Sequence, residues 1–83
     1  MLDPIEIQEW IAAGLACAHI SVDGDGRHFA ALIVSAEFDG LNRVKRQQRV
    51  YGILRDKLDS GILHALSMQT LTPEEWQARK AHG

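Results

Sequence analysis

The sequence predicts an α+β domain whose elements follow the order α-β-β-α-β-α. Three observations favour this class. The 83 residues leave room for one small core, an Asp-Gly turn joins two apolar segments, and stretches with helical apolar spacing lie on both sides of that pair. We therefore expect a single domain over 1–83, a three-stranded mixed sheet with helices on one face. The other face is expected to be at least partly open.

The first helix is predicted over 3–15. Asp3 is a suitable N-cap, Pro4 fits the first helical position, and Glu6 can complete a capping box. Two strands follow, at 17–23 and 28–35. Gly24-Asp25-Gly26 joins them in a hairpin, because glycine adopts a positive φ without strain.

The two strands of the hairpin differ in their apolar pattern. The first alternates apolar and polar residues, so we expect it to be half exposed. The second, from Phe29 to Val34, carries apolar residues at both alternating sets of positions, and so on both faces of a strand. This pattern predicts a central strand with little of either face in water.

A basic amphipathic helix is predicted over about 43–58, and a third strand over 62–71. The connection from the second strand through this helix predicts a right-handed crossover, so the second and third strands should be parallel. The apolar face of this helix carries Val44, Tyr51, Leu54 and Leu58, with Val50 and Ile53 beside it.

A last helix is predicted after Thr72. The sequence Thr72-Pro73-Glu74-Glu75 is a capping box with proline at the first helical position. Trp76 is expected to fold back on the core, and residues 80–83 are expected to fray.

Composition excludes several functional classes. Nine basic and eleven acidic residues leave a net charge of −2, which excludes a generally basic nucleic-acid binder but not a local basic patch. The longest apolar run, Phe29 to Val34, is too short to span a bilayer. The first ten residues do not resemble a secretory signal, so we expect a cytoplasmic protein.

No catalytic motif is visible, and the cysteine count is low. We find no nucleophile elbow, phosphate-binding loop or paired carboxylates in an apolar setting, so we do not expect an enzyme. Cys17 is the single cysteine. This count excludes an internal disulfide framework, a self-contained zinc ribbon and a four-cysteine iron–sulfur site.

Three stretches together resemble the BolA family, and within it the short IbaG-like branch. They are Arg27-His28-Phe29, the segment FDGLNRVKRQQRVY from Phe38 to Tyr51, and Ile62 to Ser67 followed by Thr72 to Trp76. The similarity runs over nearly the whole chain, from about residue 5 to residue 79. It implies an α-β-β-α-β-α fold similar to a class II KH domain.

The resemblance implies two activities. BolA-like proteins form [2Fe–2S] complexes with monothiol glutaredoxins and act in iron–sulfur trafficking. Some also act as DNA-binding transcriptional regulators in stress and cell morphology. A third hypothesis is a protein-interaction module that binds neither metal nor nucleic acid.

The resemblance makes His64 the candidate cluster ligand, with His28 as a second. A [2Fe–2S] cluster needs four ligands, usually thiolates, and one cysteine with four histidines cannot supply them. A glutaredoxin cysteine and glutathione would donate the thiolates, so we expect no cluster in the isolated chain. The alternatives are a partly buried, satisfied ring for His64 and a cross-strand surface position for His28.

The loop between the first two strands leaves the second ligand open. Some family members carry a cysteine or histidine within this loop, whereas residues 23–27 read DGDGR and His28 lies at the exit. We expect Asp25 to serve the turn, His19 to face solvent, and Cys17 to be a small buried hydrophobe.

The basic helix is the candidate surface for a partner or nucleic acid. Its side chains could contact phosphates, and its glutamines could reach adenine edges. The alternatives are a solvated helix face, or a docking site for an acidic partner or glutathione. The turn from Phe38 to Gly40 is expected to shape this surface. The binding candidates are Arg43, Lys45, Arg46, Gln47 and Arg49.

Overall fold

The predicted α+β class and element order are confirmed, with the second helix divided in two. A computed structural model describes residues 2–82 of the chain. The elements are α1 (Pro4–Gly14), β1 (His19–Gly24), β2 (His28–Val34), α2 (Arg43–Ile53), α3 (Arg55–Asp59), β3 (Ala65–Leu71) and α4 (Pro73–His82), with a 3₁₀ turn at Ala36–Phe38. Within 2–82, no helix combines the length and apolar character needed to cross a membrane.

The three strands form one mixed sheet in the order β1-β2-β3. β1 and β2 are antiparallel, and β2 and β3 are parallel, as the crossover predicts. In the parallel pair His28 lies opposite Ala65, and Val34 lies opposite Leu71. The amino ends of β2 and β3 therefore meet at one end of the sheet.

One face of the sheet carries the core, and the other is largely open. The core is built from α1, alternate strand residues, the 3₁₀ turn and α2, and its fully buried members include Ile7, Ile11, Ile33, Phe38, Val50 and Leu54. On the opposite face Ser21, Ala30 and Ser67 are exposed. The expectation that both faces of β2 avoid water is wrong for its amino half, because no helix covers Ala30 there.

The predicted buried face of α2 is also wrong in part. Val50 and Leu54 are fully buried, whereas Val44 is 62% and Tyr51 39% exposed. The residues at 44, 51 and 58 keep a seven-residue spacing, which drifts around a straight helix. The side chains that pack into the core are instead Val50 and Leu54, which lie one turn apart. The helix α2 ends at Leu54, whose backbone leaves helical geometry (φ −94°, ψ 6°).

Both predicted capping boxes are present. Asp3 and Glu6 close the start of α1. At α4 the Thr72 N–H donates to Glu75 Oε1 (2.8 Å), and the Glu75 N–H donates to Thr72 Oγ1 (3.2 Å).

Two features of α4 differ from expectation. Trp76 is half-buried and stacks on His19, with ring centroids 5.0 Å apart, rather than entering the main core. The helix continues through His82, so the expected fraying of 80–83 is wrong for 80–82, and residue 83 lies outside the described residues.

The buried face of α2 predicts that Leu54→Ala and Val44→Ala change the free energy of unfolding by very different amounts. Leu54→Ala should lower the free energy of unfolding by about 2–5 kcal/mol, because it leaves a cavity in the core. Val44→Ala should change it by less than about 0.5 kcal/mol, because that side chain is in water. Urea denaturation of both variants measures the difference, and similar losses would contradict this assignment of the buried face.

Candidate histidine site and basic helix

His64 lies directly before the first paired residue of β3, and it is exposed. The preceding residue, Leu63, is 1% exposed, and its N–H donates to the Lys57 carbonyl of α3 (3.1 Å). Gly61, with φ at +80°, allows the chain to turn back from α3 into this position. The core and α3 thus determine where His64 emerges, and the alternative of a partly buried ring does not hold.

His28 is the first residue of β2, and the hairpin loop determines its place. Asp25 Oδ1 accepts hydrogen bonds from the N–H groups of His28 and Arg27, each 2.9 Å long. These bonds, the one from His28 above all, hold the pKa of the Asp25 carboxyl below its usual value. A Cβ on Gly24 would lie 2.3 Å from the Phe29 ring, so only glycine fits there. Asp25 therefore serves the turn, as expected.

The parallel register brings the two candidate ligands to the same end of the sheet. His28 lies opposite Ala65, the first residue of β3, so His64 lies one position before the residue that pairs with His28. We call this pair, His28 and His64, the histidine end. In the part of the chain that the structure describes, no three His, Cys, Asp or Glu side chains group closely enough to hold a metal ion. Any complete ligand set here needs donors from another molecule.

Cys17 lies at the opposite end of the sheet. It comes two residues before His19, which pairs with Val34, the last residue of β2. Six strand steps, about 20 Å, therefore separate it from the histidine end. Burial, and then the negative charge of Glu37, raise the pKa of the Cys17 thiol. Cys17 is only partly buried, so the prediction of a buried side chain holds in part, and the raised pKa of its thiol disfavours a thiolate ligand.

Arg46 is part of the folded framework rather than a free cation. Its side chain is 13% exposed, and its guanidinium donates to the Leu41 carbonyl (2.8 Å), the Thr70 carbonyl (3.1 Å) and Glu75 (2.7 Å). The same group lies 6.0 Å from the centre of the Phe38 ring. Arg46 therefore joins α2 to β3 and α4.

Arg49 is engaged in a similar way. It donates to the Gly14 carbonyl at the end of α1 (3.2 Å) and to Glu37 (3.1 Å). Of the four basic candidates in α2, Arg43 and Lys45 are exposed and have no ion pair among residues 2–82. Arg49 is also 41% exposed, but its charge is paired with Glu37, so the candidate cations without a carboxylate partner in the described part of the chain lie in the first turn of α2.

The remaining candidates have structural positions. Gln47 is half-buried, and Phe38 is fully buried. Gly40 adopts a φ of +79° just before Asn42, whose side chain caps α2 by accepting from the Lys45 N–H (2.9 Å). Phe38 therefore contributes to the core and offers no side chain to a docking surface.

The comparisons with known proteins agree with this geometry. A sequence profile for the family described as BolA-like protein matches residues 12–75. Over 79 residues the chain is 42% identical to the acid stress protein IbaG of Escherichia coli K12, with 94% of each chain covered. The chain belongs to the BolA-like family.

Other BolA-like proteins extend the comparison. The DNA-binding transcriptional regulator BolA of Haemophilus influenzae is 44% identical over 61 residues, which are 74% of this chain and 58% of that protein. The solved BolA domain of SufE1 from Arabidopsis thaliana matches with a TM-score of 0.78 at 34% identity, covering 90% of this chain and 99% of that one. The BolA-like fold expected from the motifs is confirmed.

The Arg46–Glu75 pair predicts a pH-dependent stability. Arg46 and the Thr72 N–H hold the pKa of Glu75 below its ordinary value of 4.5. A carboxyl with a lower pKa in the folded state stabilises the fold above pH 4.5, and this contribution is lost as the pH falls through the folded-state pKa. Glu75→Gln should therefore lower stability at pH 7 and flatten its decline below about pH 5.

Urea denaturation at several pH values tests this. Glu74→Gln is the matched control, because Glu74 is the exposed neighbour of Glu75 in the same first turn of α4. If the two variants have the same pH profile, the pair does not contribute as described.

Proposed function

We propose that this chain is a non-enzymatic accessory protein of iron–sulfur trafficking that binds a monothiol glutaredoxin. It would contribute His64, and secondarily His28, as ligands to a [2Fe–2S] cluster shared with that partner and glutathione. The observation that carries the proposal is the pair of exposed histidines at the amino ends of adjacent parallel strands. Family membership, and a BolA domain within SufE1, fit an iron–sulfur related role.

The donor set supports a shared site rather than a resident one. Two imidazoles leave at least two positions of a four-ligand cluster for outside thiolates. Cys17 is too distant and too poor in thiolate to fill one of them. Because a protonated imidazole cannot bind a metal, acid would weaken this chain's share of the site. Such lability is suited to transfer or sensing.

The surface beside His64 also favours a partner. Ile62, two residues earlier, is 53% exposed although it is a large apolar side chain. A single exposed apolar residue is common on protein surfaces, and here it supplies apolar contact area directly beside the proposed ligand. Leu63 between them is anchored in the core, so this surface is held in place before a partner binds.

Removal of His64 tests the ligand assignment. The protein is mixed anaerobically with a cluster-loaded monothiol glutaredoxin, and visible absorption and circular dichroism are recorded on the complex isolated by size exclusion. His64→Ala should alter the visible spectrum or speed cluster loss to a chelator, and His28→Ala should have a smaller effect. His19→Ala, at the other end of the sheet, is the matched control.

The outcomes separate the two parts of the proposal. An unchanged spectrum in a stoichiometric complex of His64→Ala would show that the ligand assignment is wrong. If the unaltered protein forms no complex and no new spectrum, the glutaredoxin partnership itself is wrong. Far-ultraviolet circular dichroism of each variant checks that the fold is intact.

DNA binding is the second candidate function. One relative is named a DNA-binding transcriptional regulator. Arg43 and Lys45, on the first turn of α2, are exposed and form no ion pair within residues 2–82. Arg46 and Arg49 are engaged within the fold, so two phosphate contacts replace the four that the sequence suggests.

A salt titration of DNA binding tests this count. Two contacts predict a slope of log K against log salt of about −1.8, whereas four would give about −3.6. Lys45→Glu should abolish binding, and Arg55→Glu, the same charge change beyond the far end of α2, should weaken it far less. A slope near zero would remove DNA binding as a function of this helix.

A further inference from the structure

The outer edge of β3 carries unpaired main-chain groups. β3 is an edge strand, with β2 on one side only. The Ser35 N–H donates to the Leu71 carbonyl (2.9 Å), so the main chain of Leu71 faces β2. Because these directions alternate along a strand, the N–H and C=O groups of Leu66, Met68 and Thr70 point away from β2.

Side chains from α2 satisfy this edge only in part. Arg46 donates to the Thr70 carbonyl (3.1 Å), and the Tyr51 hydroxyl lies 3.5 Å from the Leu66 carbonyl. Between them, the N–H and C=O of Met68 have no hydrogen-bond partner within residues 2–82. An edge with free donors and acceptors is a template for another extended chain.

The groove beside this edge is cationic. It has a volume of about 500 Å³ and lies between residues 68–71 and the two helices α2 and α4. Its charged lining is Arg43, Arg46, Glu75 and Arg79, three positive groups and one negative, or +2 in a chain whose net charge is −2. Glu75 is already paired with Arg46 (2.7 Å), and Arg79 donates to the neutral side chain of Gln69. Within residues 2–82, neither Arg43 nor Arg79 therefore has a carboxylate partner.

We propose that this edge binds an extended acidic peptide segment of a partner protein as a fourth strand. The segment exchanges main-chain hydrogen bonds with Met68, and its carboxylates face Arg43 and Arg79. The groove is lined by Met68 at the centre of β3 and by the strand residues that follow it, and its lining does not include His28 or His64. The proposal therefore does not rest on the cluster role.

The chemistry of the edge favours this occupant over two others. A second copy that paired through its own β3 would bring the arginines of two such edges together, and this repulsion opposes that pairing. Phosphates of DNA only accept hydrogen bonds, so a contact through the phosphate backbone would leave the Met68 carbonyl unpaired. A peptide main chain supplies both a donor and an acceptor, and acidic side chains supply the charge that the groove lacks.

The test uses a fluorescein-labelled eight-residue peptide of alternating valine and glutamate. Its matched control alternates valine and lysine, and a second control replaces the two central valines by proline, which cannot donate. Fluorescence anisotropy gives the affinities, and nuclear magnetic resonance follows the exchange of the Met68 amide. We expect binding of the acidic peptide alone, with slower exchange of that amide.

Variants on α4 and α2 locate the contact. Arg79→Glu should weaken the acidic peptide at least about tenfold and Arg79→Gln less, because a charged group facing a carboxylate contributes more than a neutral one. Arg55→Glu should have no effect, because Arg55 does not line this groove. Arg79 is exposed, so these changes leave the core intact.

Four results would overturn the proposal. They are equal binding of acidic and basic peptides, an unchanged Met68 amide, an Arg79→Glu variant that binds normally, and protection of this amide by a DNA oligonucleotide but not by the acidic peptide. A fifth result would also overturn it: protection of the same amide in the protein alone, rising with protein concentration, would assign the edge to self-association.

Discussion

The guanidinium of Arg46 is the contact on which the assembly of the domain depends. It lies nearly buried between α2, β3 and α4, and it donates to two main-chain carbonyls and a carboxylate. A buried cation costs free energy unless such partners compensate it, and removing it would leave those partners without a donor. Together with the Thr72–Glu75 capping box and the stacking of Trp76 on His19, this side chain holds α4 beside β3 and shapes the groove between them.

Parallel pairing of β2 and β3 divides the chemistry of the sheet between two ends. The amino ends of the strands present His28 and His64, both exposed and both held in place by neighbouring main-chain hydrogen bonds. The carboxyl ends present Cys17 nearby, the capping box of α4 and the arginine-lined groove. About 20 Å of strand separates the two ends, and the lining of the groove includes neither histidine.

Much of the motif by which the family is recognised serves the fold. Phe38 is buried in the core, and Asn42 caps α2. Arg46 and Arg49 donate hydrogen bonds from α2 to β3 and to the end of α1. A run of basic residues in a sequence therefore overstates the free charge on the surface. Arg46 pairs with Glu75, 29 residues away in the chain, and Arg49 pairs with Glu37, 12 residues away. Spacing in the sequence could not predict these pairs.

The sequence by itself determined the class, the element order, the parallel crossover and both capping boxes, because turn chemistry, caps and apolar periodicity are local properties. Only the tertiary structure decided which stripe of α2 is buried, because two apolar stripes overlap there and the sheet can cover only one. It likewise decided that Ala30 faces water and that the candidate histidines meet at one end. Those outcomes depend on contacts between residues distant in the chain, which no local pattern encodes.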